Sequence, residues 1–453
     1  MEQNFSIENR WNNKALFGLL WPLMVEQLLV VAMGAADTVM VSSVGEHAVS
    51  GVNIIDNINN LLIIAFAAMS AGGTVVVSQY IGRRDHANSK TAAKQLIYLA
   101  TFISLCMMTV ALFLRRPIIS LFYGNIADDV MDAAMVYFFF TALSFPFLAI
   151  YSSCSALFRA TGNSKAPMRI SLFVNFLSVG GNAIFIYVMG IGVMGAALAT
   201  LISRIIAAGI ASIMLYRNSA SPVTLAGLFK VRIVTPIIKN ICNVGIPGAT
   251  ESSMFMVGRL LTQRIFVGFG TVAMAANAIT GAINSLAFQT GSAFSMTLVV
   301  VVGQCIGAGD YAAAKRFVKK IIRLAYIFLV GMSGLTFIFA EQLIGLFQLS
   351  PEAHVLAKTF LTTHCISMAL GWALSFALPN ALRAAGDARY VMMVSILSMW
   401  LVRVLGAYFF VFVLEMGPLG VWLAMGADFA SRGISFLIRW LQGKWQTKSV
   451  IKY

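Results

Sequence analysis

Residues 74–90 read TVVVSQYIGRRDHANSK, and residues 299–315 read VVVVGQCIGAGDYAAAK. The two stretches lie 225 positions apart, so Gln79, Gly82, Asp85 and Lys90 fall on Gln304, Gly307, Asp310 and Lys315. The offset runs back without a gap to Pro22 and Pro247, through Glu26 and Glu251, Gly45 and Gly270, and Asn59 and Asn284. It runs forward to Leu121-Phe122 against Leu346-Phe347, and to Gly192 and Gly195 against Gly417 and Gly420. Arg159-Ala-Thr-Gly162 meets Arg383-Ala-Ala-Gly386 with a slip of one residue. A repeat this long exceeds the roughly 20–50 residues of a solenoid unit. It marks one large unit written twice. In a membrane chain, two related halves are a common transporter plan.

Composition places the chain in a membrane. Hydrophobic residues make up 59% of its 453 positions and charged residues 11%, against about 25% charged in soluble proteins. Many apolar runs reach the ~20 residues that span hydrocarbon as a helix. Strands of a membrane barrel would be about ten residues long with alternating polarity. The expected fold is an all-α integral membrane protein of twelve helices, at roughly 15–41, 53–80, 93–114, 131–157, 168–189, 193–216, 240–267, 272–303, 318–340, 357–382, 391–413 and 418–440.

Charge sets the expected orientation. With an even number of spans, both termini share a side. The short loops on that side hold Arg83, Arg84, Lys90, Arg159, Lys165, Arg217, Lys230, Lys315, Arg316, Lys319, Lys320 and Arg383, among others. Arg10, Lys14, Lys444, Lys448 and Lys452 join them at the ends. The opposite loops hold Arg115 and Arg116 beside Asp128 and Asp129. Cytoplasmic loops carry the excess of Lys and Arg, so both termini are expected in the cytoplasm. The net charge of +15 is thereby a topology signal. The cations are spread over short loops, with no soluble domain to gather them on nucleic acid.

The first apolar run is too long for a signal-peptide core and is expected to remain as a span. Cys106, Cys154, Cys242, Cys305 and Cys365 have neither metal-ligand nor CxxC spacing, and read as small packing residues. The long polar connection from Arg217 to Asn240 contains Ser219, Ser221, Pro222 and Pro236 around the apolar stretch Val223 to Phe229. It is expected to link an N-terminal half (1–218) to a C-terminal half (240–453) as a cytoplasmic segment (219–239) able to hold an interfacial helix. Each half has six helices, so the halves share one orientation. The expected pseudo-two-fold axis runs along the membrane normal.

Chemistry is sought in intramembrane polar groups, which are costly to bury and so are functional candidates. The first helix carries Glu26 and Asp37. Eleven residues at 100° each bring both to nearly one face, about 16 Å apart along the axis. The seventh helix carries Glu251, the repeat mate of Glu26. Each glutamate sits one turn after a helix-interior proline, Pro22 or Pro247. Each therefore reads either as a cap on broken backbone or as an ion-coupling carboxylate. Asp37 sits among Gly34, Ala35, Ala36 and Val39 with no cation in the adjacent turns, which favours a transport role. Asp428 and Arg432 stand four residues apart and read as an intrahelical ion pair. Arg204 and Arg403 read as structural pairs or carbonyl donors.

Taken together, Pro22-x3-Glu26-Gln27 with Asp37-Thr-Val-Met-Val, Val77-Ser-Gln-Tyr-Ile-Gly82, Arg159-Ala-Thr-Gly-Asn163, Gly195-Ala-Ala-Leu-Ala-Thr200, Val302-Gly-Gln-Cys-Ile-Gly-Ala-Gly309 and Met399-Trp-Leu-Val-Arg403 resemble the multidrug and toxic compound extrusion (MATE) family of cation-coupled antiporters. The resemblance covers essentially the whole chain. It implies a V-shaped pair of six-helix lobes in the inner membrane. It also implies export of amphipathic, often cationic compounds against an inward flow of H⁺ or Na⁺, with no other cofactor. Asp37 occupies the family's first-helix aspartate position, which implies cation coupling there, with Na⁺ as one candidate ion. Glu251 lies on the seventh helix, where several branches use a glutamate. Where one branch has a second acid on the fifth helix, this chain has Asn182. Where another has an aspartate on the tenth, Gly371 to Leu382 contains no acid.

The 24 Met and 33 Phe suit promiscuous apolar and cationic ligands, although lipid contact and packing account for most of them. More informative are amides expected inside the halves: Asn53, Asn57 and Asn60, Asn175 and Asn182, and Asn277, Asn284 and Gln289. Asn57, Asn175, Asn182 and Asn284 are the candidates to line a substrate cavity; the other reading is bonding between helices. The partners expected are small amphipathic or cationic substrates and membrane lipids, with the chain acting as a monomer.

Three other classes fit less well. A flippase for lipid-linked sugars would need a strongly cationic central cavity, and the acids on the first and seventh helices oppose that. A major-facilitator porter would carry a longer Gly…Asp-Arg…Gly-Arg-Arg pattern than Gly82-Arg-Arg-Asp85. An enzyme would need a metal or nucleophile motif. No HExxH is present, and His47, His86, His354 and His364 lie far apart.

Overall fold

A computed structural model describes residues 7–124, 126–218 and 221–451; Ser219 and Lys452 lie outside the described residues. Twelve long helical segments run along them: α1 (Asn13–Ser42), α2 (Glu46–Gly82), α3 (His86–Phe113), α4 (Asp128–Leu143 with Phe145–Ala160), α5 (Lys165–Val188), α6 (Gly192–Arg217), α7 (Thr235–Gly268), α8 (Gly270–Gly307), α9 (Tyr311–Ile338), α10 (Pro351–Ala384), α11 (Ala388–Val413) and α12 (Leu419–Leu441). Ten of these are long and apolar enough to cross a membrane, and the bent α4 makes an eleventh. The twelfth, α7, is more polar because it carries Glu251, Arg259 and Arg264. No strand occurs among the described residues.

The straight helix expected at 131–157 is broken at Ser144 and bent by 46°. Pro146 has no N–H to continue the ladder, and Ser144 Oγ instead donates back to the Thr141 carbonyl at 2.6 Å. Among the described residues of the connection no helix forms; residues 221–234 are bends, turns and irregular chain. Their backbone is held by side chains of α3. Gln95 donates to the Arg232 carbonyl at 2.6 Å and accepts from Val234 N at 3.1 Å, and the Tyr98 hydroxyl donates to the Leu228 carbonyl. Such bonds satisfy backbone groups that no helix pairs.

The chain forms two compact units. One covers residues 13–245. Its core gathers Val52, Ile55 and Ile58 of α2 against Ala134, Phe138, Phe145 and Ala149 of α4. Small residues permit that approach: a Cβ on Gly51 would lie 2.9 Å from Ala133 Cβ and 3.0 Å from Ala134 N. Close packing of this kind, rather than water exclusion, holds helices together in lipid. The other unit covers residues 246–451 together with 7–12. There Trp11, nearly fully buried, donates from Nε1 to Gln304 Oε1 at 3.1 Å.

The duplication persists in local detail. Asp85 caps α3 by accepting from Asn88 N at 3.0 Å, and its mate Asp310 caps α9 by accepting from Ala313 N at 2.8 Å. Helices α5 and α11 both end in wider, π-type turns, at Ala183–Val188 and Phe409–Val413. A glycine then packs on each. A Cβ on Gly195 would meet Phe185 Cβ at 2.9 Å, and one on Gly420 would meet Phe410 Cβ at 2.9 Å.

Candidate functional site

Within the unit of residues 13–245, five helices leave a small, partly open cavity of about 70 Å³. Helix α1 supplies Asp37 and Thr38, α2 supplies Asn53 and Asp56, α4 supplies Tyr137, α5 supplies Asn182, and α6 supplies Thr200. These polar groups sit inside helices otherwise apolar enough to span a membrane. The half-buried Asp37 accepts from Asn182 Nδ2 at 2.7 Å. Asn182 is almost wholly buried, and its own Oδ1 has no protein donor. The Tyr137 hydroxyl donates to Asp56 Oδ1 at 3.3 Å. Arg204, on α6, donates to Ser144 Oγ at 2.6 Å and does not line the cavity. The arrangement presents two carboxylates, Asp37 and Asp56, to one polar cavity.

The two glutamates lie elsewhere. Glu26 Oε1 pairs with Arg159 Nη1 at 3.1 Å, and Glu251 Oε2 pairs with Arg383 Nη2 at 2.6 Å. Glu26 is buried and Glu251 half-buried. The partners are themselves repeat mates, so each unit repeats one glutamate–arginine pair near the same proline. Glu26 and Asp37 share α1, but neither Glu26 nor Arg159 lines the cavity.

The amides divide in the same way. Asn182 joins the cavity. Asn175 donates to the Leu29 carbonyl at 3.3 Å and ties α5 to α1. Asn284 is buried and donates to the Thr280 carbonyl one turn back at 2.9 Å. Asn57 is exposed and does not line the cavity. Sequence reasoning passed over Asp56 and Tyr137. Asp56 had a signal, an acid inside an apolar run, but it was hidden among Asn53, Asn57 and Asn60. Tyr137 had none.

The other unit carries the opposite balance. Asp428 of α12 is fully buried, accepts from Ser398 Oγ at 2.7 Å, and faces Arg432 at 3.1 Å and Arg403 at 3.9 Å. The Arg432 guanidinium stands over the Phe376 ring at 4.5 Å and the Phe255 ring at 5.4 Å. One carboxylate thus faces two guanidiniums. At the position of Asp37 this unit has Thr262, whose hydroxyl donates to the Arg259 carbonyl at 2.9 Å.

The model of the MatE family matches residues 22–184 and again 246–409. The chain belongs to the MatE family. The double match is the internal repeat seen from outside, one family unit per half. Over 96% of both chains it is 29% identical to an uncharacterized transporter, YisQ, of Bacillus subtilis. It is 28% identical to a probable multidrug resistance protein, NorM, of Thermotoga maritima, over 97% of this chain and 94% of that one. Its fold matches that of a MOP superfamily transporter from Pyrococcus furiosus with a TM-score of 0.90, at 18% identity, covering 99% of this chain and all of the other. This MatE-family chain is a multi-pass membrane transporter of the multidrug efflux class, not an enzyme.

Proposed function

We propose that this protein is a secondary antiporter that exports amphipathic, often cationic compounds in exchange for H⁺ or Na⁺. The observation that carries the reading is Asp37, a carboxylate held by Asn182 at 2.7 Å in a polar cavity among membrane-spanning helices. A carboxylate there holds a proton or pairs with a small cation, and it is stable in apolar surroundings only when neutralised. Loading and release of that cation bias the helices lining the cavity between two arrangements, which is what alternating access needs. The family match supports the efflux class, and the opposite charge balance of the second unit supports placing the coupling cation in the first. Glu26 and Glu251, committed to arginines, act in this reading as structural pairs that hold the proline-bearing α1 and α7. The lopsided loop cations support a cell (inner) membrane location with both termini in the cytoplasm.

The test is transport in inverted vesicles with a pH gradient and a Na⁺ gradient imposed separately. Uptake of a fluorescent cationic dye driven by either gradient supports antiport and names the ion. Gradient-independent uptake contradicts it.

A further inference from the structure

The unit of residues 246–451 gathers three charges among its membrane-spanning helices: Arg403 of α11, and Asp428 and Arg432 of α12. Their contacts are unequal. Asp428 Oδ1 accepts from Ser398 Oγ at 2.7 Å, while Oδ2 stands 3.1 Å from Arg432 Nη2 but 3.9 Å from Arg403 Nη1. The close pair is Asp428 with Arg432, and Arg403 is the surplus cation. One ring serves both guanidiniums: the centre of Phe255, on α7, lies 5.3 Å from Arg403 Cζ and 5.4 Å from Arg432 Cζ. Phe376, on α10, gives Arg432 a second face at 4.5 Å. Aromatic faces attract a cation but carry no net charge to cancel it. The Nε atoms of Arg403 and Arg432 are both buried and have no hydrogen-bond partner among the described residues. A guanidinium has only donors, so each of these N–H groups calls for an acceptor.

From these contacts we infer that Arg403 and Arg432 form a binding site for a monovalent anion, a halide or a carboxylate, with their Nε–H groups as donors and Phe255 as its apolar wall. The anion supplies the acceptor that both donors need and the negative charge that Asp428, shared between two cations, does not. Arg403 is the less enclosed of the two side chains, so the anion arrives at Arg403, and Arg432 holds it from behind. Guanidinium is weakly hydrated and matches a carboxylate in plane, and the ring beneath suits an anion that sheds its water easily. A dianion such as sulfate brings more charge than the single surplus and loses more hydration on entry, so it is expected to bind poorly. The inference goes beyond the cation-coupling reading and stands without it, because none of these residues lines the cavity of Asp37.

The experiment measures chloride binding to the purified full-length protein by chloride NMR line broadening, at constant Na⁺ and ionic strength with sulfate as the balancing anion. Wild type is expected to show saturable broadening that bromide displaces, and a melting temperature that rises as chloride replaces sulfate. Benzoate and acetate are then added as competitors. Displacement by benzoate at lower concentration than acetate assigns the site to the carboxylate of an apolar compound; displacement by halides alone assigns it to a halide; both support the inference. Arg403→Gln leaves the closer Asp428–Arg432 pair in place and is expected to weaken chloride binding at least tenfold, with a melting temperature in sulfate close to that of wild type. Arg403→Lys keeps the charge and is expected to retain more of the affinity than Arg403→Gln. Saturable binding that is absent from wild type, or unchanged in Arg403→Gln, overturns the inference and leaves cation coupling at Asp37 standing. Should Arg403→Gln fail to fold, Arg403→Lys decides: a changed chloride affinity supports the site and an unchanged one contradicts it.

Discussion

The side-chain amide of Asn182 donates to Asp37 at 2.7 Å, joining the helices that carry them across 145 positions of sequence. The bond fixes one carboxylate oxygen; in the proposed antiport the other is the one that takes the coupling cation. Asn182→Leu removes the donor and puts apolar bulk in its place. It should lower transport at least tenfold while Asn182→Gln, which keeps the amide donor, retains more. Dye efflux at matched expression checks this; equal activity of all three would remove Asn182 from the site.

Glu26–Arg159 and Glu251–Arg383 are the same contact made twice, so the two glutamates should be equally necessary. Their side chains are nearly enclosed, and breaking one partner of a buried pair costs about 3–5 kcal/mol. Glu26→Gln and Glu251→Gln should therefore lower the melting temperature of the purified protein by similar amounts, with parallel losses of expression. A stable Glu251→Gln protein that has lost only transport would return Glu251 to the ion-coupling role considered from sequence.

Gly195 and Gly420 sit where a methyl group would meet a phenylalanine Cβ at 2.9 Å and its carbonyl carbon at 3.0 or 2.9 Å. Backbone cannot yield as a side-chain tip does, so Gly195→Ala and Gly420→Ala should each cost about 1–3 kcal/mol. At Gly209 and Gly334 a methyl group would meet nothing within 4 Å, and their alanine variants should melt like wild type. Thermal unfolding of the four variants separates the classes.

Twelve helices and a duplicated plan were readable because each span needs ~20 apolar residues in one run. The repeat needed only an offset. What was not readable depends on distant parts of the chain meeting. Nothing local announces that Arg159 reaches Glu26, or that Tyr137 reaches Asp56. The amides on α2 read as one row, yet the helix turns Asn53 and Asp56 toward the cavity and leaves Asn57 exposed outside it. Periodicity places residues on faces; only packing of the neighbouring helices says which face is wet.

Outside the spans, Glu341 accepts hydrogen bonds from Lys358 and His354. The Lys358 contact, followed by that of His354, holds the Glu341 carboxyl below its ordinary value of 4.5. A lowered folded value means the contact contributes fully above the unfolded value and is lost as pH falls through the folded one. Lys358→Ala should raise the titration midpoint of Glu341, followed by carboxylate infrared difference spectra against a Glu341→Gln control. An unchanged midpoint would show that the contact does not hold in the membrane protein.

The central claim is that Asp37 carries the coupling cation. Its most direct test is dye uptake into inverted vesicles, for wild type and Asp37→Asn at equal protein amounts, under a pH gradient and then a Na⁺ gradient. Wild type should respond to at least one gradient, and Asp37→Asn to neither, while remaining folded and inserted. Gradient-driven uptake by Asp37→Asn at the wild-type rate would contradict the account.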